Sequence, residues 1–144
     1  MEIDLALLAD AATLDAAGKL NMLGVFDRIQ THSFPARHDR IAMILRFQGG
    51  LAEAGQHQLQ IRLLTPDQEE MLSIGGELRF APGPAEVGGT IRVPHLINLN
   101  GIVFPGPGRY MFDVALDGEH ARSIPLVVVG PPIVGPGVAS RHQA

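Results

Sequence analysis

Six histidines, at positions 32, 38, 57, 95, 120 and 142, are the side chains of this 144-residue chain best suited to proton transfer or metal binding. They stand singly, and none has the i, i+4 spacing beside a carboxylate that a helical zinc pair requires. His32 and His38 bracket the segment HSFPARH, which offers no third ligand to complete a metal site. His95 alternates with Ile91, Val93, Ile97 and Leu99, so it reads as a core or rim residue. The acidic segment PDQEE, Pro66 to Glu70, lacks the Asp-x-Asp spacing that gathers oxygens around calcium and reads as a solvated turn. There is no Gly-x-Ser-x-Gly elbow and no phosphate-binding glycine loop, and nothing in the sequence predicts that separated Asp, His and Ser residues converge. Cysteine is absent, which removes thiolate nucleophiles, thiolate zinc sites and disulfides. The expectation is a non-enzymatic chain with no catalytic residue, no metal and no cofactor.

Binding chemistry has better candidates. In HQLQIRLL, Gln58, Gln60 and Arg62 alternate with Leu59, Ile61 and Leu63. Successive side chains of a strand point to opposite faces, so this segment has one wet face and one buried face. Arg46 and Gln48 are expected beside that stripe, completing a flat hydrogen-bonding surface suited to a glycan or a protein partner. Tyr110, the sole tyrosine, follows a Pro-Gly-Pro-Gly turn and precedes the apolar Phe112 by two. That is the placement of a structural tyrosine corner, in which the hydroxyl turns back onto the preceding backbone.

The elements that must position these groups are strands. RYMFDVALDG sets Tyr110, Phe112, Val114 and Leu116 against Met111, Asp113, Ala115 and Asp117, and SIPLVVV puts Ile124, Leu126 and Val128 on one side. IAMILRF, MLSIGGELRF and TIRVPHLINL add three more, with Pro94 marking an edge or a bulge. The opening third divides into two strands around the turn DAAGK, with Gly24 placed as a bulge would be. In the last hairpin a two-residue Asp117-Gly118 turn would pair Asp113 with Arg122 but set Ile124 on the wrong side from Phe112. A three-residue loop or a bulge at Pro125 is therefore expected.

About eight strands at this spacing predict an all-β, immunoglobulin-like antiparallel sandwich over residues 1–129. The proline- and glycine-rich remainder, 130–144, reads as a flexible tail. The 17 glycines and 11 prolines fall between apolar runs, as turn punctuation does. Net charge is −4, and the ten arginines and one lysine are spread along the chain, so no nucleic-acid footprint is expected. The N-terminus carries Glu2 and Asp4 where a secretory signal would be basic, and no apolar run approaches a bilayer span. A cytoplasmic protein that does not engage a membrane is expected.

The segments LLADAATLDAAGKLNMLGVFDRI, HQLQIRLLTPD and NLNGIVFPGPGRYMFDVALDGEHARSIPLVV occur in this order from near the start to near the end of the sandwich region. Together they resemble a family of small bacterial proteins, over nearly the whole span from Ile3 to Val129. The resemblance implies a stand-alone β-sandwich and carries over no functional residue. The function expected from the residues is protein contact, as an adaptor or assembly subunit working with a protein partner or by self-association, unpaired strand edges being one route. Binding of a small ligand or glycan is the alternative.

Overall fold

The computed structural model describes residues 1–83 and 89–131. Its elements are β1 (Glu2–Leu14), β2 (Leu20–Phe26), β3 (Arg28–Gln30), β4 (Ala36–Gly50), β5 (Gly55–Leu64), β6 (Glu70–Phe80), β7 (Thr90–Phe104), β8 (Gly108–Leu116) and β9 (Glu119–Val129), with one 3-10 turn at Leu51–Glu53. They form a four-stranded sheet, β2-β1-β4-β7, packed on a five-stranded sheet, β3-β9-β8-β5-β6. The period-two patterns carry the core. Ile41, Met43, Leu45 and Phe47 of β4 face Leu59, Ile61 and Leu63 of β5, Tyr110, Phe112 and Val114 of β8, and Ile124, Leu126 and Val128 of β9 in one buried cluster. The buried class holds no charged or polar side chain among the described residues.

The ninth strand comes from splitting a segment that reads as one. KLNMLGVFDRI leaves the first sheet after Phe26, turns at Asp27, and re-enters the second sheet as β3. Asp27 marks the crossing, its carbonyl accepting the amide of Val127. Because the chain arrives at β9 from the other sheet instead of through a hairpin, β3–β9 is parallel, an exception to the expected antiparallel pairing.

The irregularities fall elsewhere than the sequence suggests. Gly24 has φ of 70° but inserts no residue, since β1 and β2 keep one register from Leu8↔Phe26 to Leu14↔Leu20. A Cβ there would lie 2.3 Å from Asp10 Oδ2, so the glycine admits the Asp10 side chain, and no bulge forms. In the β8–β9 hairpin the two-residue turn does form, with Asp117 and Gly118 at positive φ, and the register shifts between Val114 and Ala115. Ala121 is the extra residue, so neither a three-residue loop nor a bulge at Pro125 is needed to set Ile124 opposite Phe112. Asp113 consequently faces Ser123, and Arg122 reaches instead to the carbonyl of Ile3 at 3.0 Å. That carbonyl lies beside a second bulge, at Asp4 between Ile3 and Leu5. Pro94 sits on β7, an edge strand, without disturbing its register with β4. The expected tail lies outside the described residues from position 132 onward.

Candidate interaction surface

The five predicted binding residues do not form one surface. After β4 the 3-10 turn carries the chain into the opposite sheet, so β4 and β5 are successive in sequence but face each other across the core. Arg46 and Gln48 lie on the first sheet, whereas Gln58, Gln60 and Arg62 lie on the second. The first pair is already occupied. The Asp4 bulge aims its carboxylate at Arg46, which donates from Nε at 2.9 Å and from Nη2 at 3.0 Å. This pairing holds the Arg46 pKa above its ordinary value, the hydrogen bond to Asp4 outweighing partial burial. Gln48 donates to Glu2 and accepts from Arg92, tying β1, β4 and β7 in a polar ladder. On the other sheet Gln60 donates to Ser73, and Arg62 lies 3.6 Å from Asp113 and 3.8 Å from Glu70. The backbone amide of Gln58 donates to Asp117. Most of the stripe joins neighbouring strands.

Separated Asp, His and Ser residues do converge, contrary to expectation. Ser123 donates to Asp113 at 2.8 Å and lies 2.8 Å from His120 Nε2. The order is wrong for acyl transfer, in which histidine stands between carboxylate and serine and takes the serine proton. Here the serine hydroxyl donates its hydrogen bond to the carboxylate instead.

His57 is held at both ring nitrogens. Its Nδ1 lies 2.6 Å from Asp117 Oδ2 and its Nε2 lies 2.7 Å from the carbonyl of Glu53. Both ring nitrogens face acceptors, so both must carry protons for both bonds to form. The carboxylate of Asp117 first, and then the Glu53 carbonyl, raises the His57 pKa above its ordinary 6.5. In the doubly protonated form no lone pair is left for a substrate proton. Because the folded pKa exceeds the unfolded one, the stabilisation is fully present below about pH 6.5 and is lost as pH rises through the raised value. Asp117, lowered by His57 and the Gln58 amide, contributes above the ordinary carboxylate range and loses its share in acid. The melting temperature should therefore fall between about pH 6 and pH 9 more steeply for the native chain than for His57→Gln. Parallel thermal profiles would show that the imidazolium does not hold the strand ends together.

Among the described residues the remaining histidines offer no site, and His142 lies outside those residues. His95, opposite Leu45, has its pKa lowered by burial, and His38 packs on Phe26 with ring centroids 5.8 Å apart. Among the described residues no three His, Cys, Asp or Glu side chains are grouped to hold a metal. PDQEE forms a closed turn, with Thr65 Oγ1 accepting the Glu69 amide. Tyr110 is buried at 1% exposure and donates its hydroxyl to the Gly106 carbonyl at 2.7 Å. It holds the corner.

What sequence reasoning missed is the exposed apolar surface of the β1–β2 hairpin. β4 supports β1 only as far as Ala9, beyond which residues 10–24 extend past the body of the sheet. Of the six large apolar side chains that the described residues leave exposed, Leu14, Met22, Leu23 and Val25 belong to this hairpin. Leu23 is 72% exposed and Val25 55%. A groove of about 390 Å³ continues the patch, lined by Leu7, Val25, Phe26, Ile124 and Pro125 among others. The signal was present in the sequence: LNMLGVF is apolar on both faces and carries no charge. Such a strand is ordinarily buried on both sides, yet here β2 is an edge. Residues 4–129 match DUF6941, a family of unknown function. The chain belongs to DUF6941. The match takes in every described strand of this DUF6941 domain apart from the first two residues of β1, the exposed hairpin included. No curated protein matches it. No helix among the described residues is long and apolar enough to cross a membrane.

Proposed function

We propose that this DUF6941 domain is a non-enzymatic protein-contact module, an adaptor or assembly subunit of the bacterial cytoplasm. The observation that carries the reading is the hairpin: an uncharged edge strand with Met22, Leu23 and Val25 exposed. Exposed large apolar side chains grouped on one element mark interaction surfaces, and an open edge offers main-chain hydrogen bonds to an added strand. An immunoglobulin-like assignment is supported by the way β4 and β7 lie together in one sheet while β5, β8 and β9 form the other. The parallel strand β3, which reaches β9 after a switch of sheets, and the tyrosine at the head of β8 are consistent with the same type. The alternative, a small-ligand or glycan module, uses either a joint polar stripe or the strand-end loops, and the stripe is divided between two sheets.

A photo-activatable residue at position 23, compared with one at position 58 on the second sheet, tests the reading in cells. Protein adducts formed from position 23 and far fewer from position 58 are expected. Absence of adducts at position 23, together with saturable thermal stabilisation by a sugar, would overturn protein contact in favour of ligand binding.

A further inference from the structure

We infer that the occupant of the β2 edge is a second copy of this chain, paired antiparallel through a two-fold axis at Leu23. The inference rests on the protein-contact reading and names its partner.

The other sheet edges are guarded. Natural edge strands resist pairing by charge, proline or brevity. β7 carries Arg92 and Pro94, β6 carries Glu70, Glu77 and Arg79, and β3 is three residues long with Arg28 at its start. β2 has none of these devices across its seven residues. Charge appears only just outside its ends, as Lys19 before it and Asp27 after it, both exposed.

Those two charges select the partner and the register. In a two-fold antiparallel pair, residues facing each other have a constant index sum, and an axis at Leu23 makes that sum 46. Lys19 then faces Asp27 of the second copy, and the same pair recurs at the other end. Leu20 faces Phe26, Asn21 faces Val25, Met22 faces Gly24, and Leu23 meets its own counterpart. Opposite charges and apolar pairs directly across strands are favourable, whereas like charges are not. Moving the index sum up by one sets Lys19 against Arg28, and moving it down by one sets Lys19 against Phe26, so only the Leu23-centred register pairs the charges. The strand is self-complementary. A two-fold interface of this type is closed, which yields a dimer with a continuous eight-stranded sheet and not a filament.

Light scattering on the full chain across a concentration series provides the test. The mass of the native protein should rise toward twice 15.4 kDa. Lys19→Asp places carboxylates opposite each other at both ends, and Asp27→Lys places ammonium groups there. Each variant alone should dissociate at concentrations about tenfold higher than the native protein. Mixed in equal amounts, the two should form a heterodimer. One end then pairs the two introduced side chains, a carboxylate against an ammonium, and the other end pairs the native Asp27 of one copy with the native Lys19 of the other. The double variant should restore the homodimer. Unchanged melting temperatures of the monomers would show that these exposed substitutions leave the fold intact. A native chain that stays monomeric throughout, or a dimer indifferent to both reversals, would overturn the inference. Adducts from position 23 to other proteins would leave the protein-contact reading standing in that case, whereas no adducts of any kind would remove both.

Discussion

Tyr110→Ala should lower the unfolding free energy by about 4 kcal/mol, a large share of the roughly 5–15 kcal/mol that holds a domain of this size together. Two contributions combine. Tyr110 is among the largest fully buried side chains, and its ring meets Phe104 edge to face at a centroid separation of 5.0 Å. Truncation leaves a cavity between β7 and β8 that neighbouring strands, fixed by their hydrogen-bond ladders, cannot close. The second contribution is the hydroxyl, which donates to the Gly106 carbonyl at 2.7 Å. Tyr110→Phe isolates it and should cost about 1 kcal/mol, the usual net worth of one hydrogen bond, because the ring and its packing survive. Urea unfolding of the three proteins gives the comparison. A cost for the phenylalanine variant near zero would mean that the hydroxyl is not what closes the corner. An alanine variant within about 1 kcal/mol of the native protein would mean that the residue is not part of the core.

The same residue shows what could be read from sequence and what could not. Tyr110, Phe112 and Val114, or Leu59, Ile61 and Leu63, announce themselves because a strand with one buried face must place an apolar side chain at every second position. The alternation is local, and so are the turns at DAAGK and Asp117-Gly118. Which strands share a sheet is not local. Arg46 and Gln48 look adjacent to Gln58 and Gln60 along the chain, but the turn at Leu51–Glu53 sends β5 to the other side of the core. The change of sheet at Asp27 is hidden for the same reason, since one residue suffices for it and the apolar run continues on both sides. Bulges at Asp4 and Ala121 are equally invisible, because each is fixed by a partner far away: Arg46 for the first and the β8 register for the second. The β2 edge was hidden in a different way. Its composition indicates a strand covered on both sides, which is a true statement about the sequence that the isolated fold does not satisfy. That mismatch, more than any polar constellation, is what the proposed contact role rests on.

Gly108→Ala should be the other strongly damaging substitution, at about 3 kcal/mol, and its cause can be divided. Gly108 has φ of 142°, a conformation that only glycine adopts without strain, for which a side chain costs about 1–3 kcal/mol. Its Cα also sits under the β5–β6 turn, so that an added Cβ would lie 2.5 Å from Cγ of Pro66 and 3.0 Å from its Cβ. Overpacking of this kind costs about 1–3 kcal/mol more. Pro66→Gly removes the obstructing ring while leaving the backbone at 108 as it was. The double variant should therefore be at least about 1 kcal/mol more stable than the sum of the two single losses predicts, a coupling measurable by a double-mutant cycle in urea. Strict additivity would place the whole cost in the backbone and sink the steric half of the argument. A coupling of the expected sign would establish that the β7–β8 corner and the β5–β6 turn are braced against each other where Tyr110 closes the corner from inside. A loop end braced in this way has little freedom to close around a ligand.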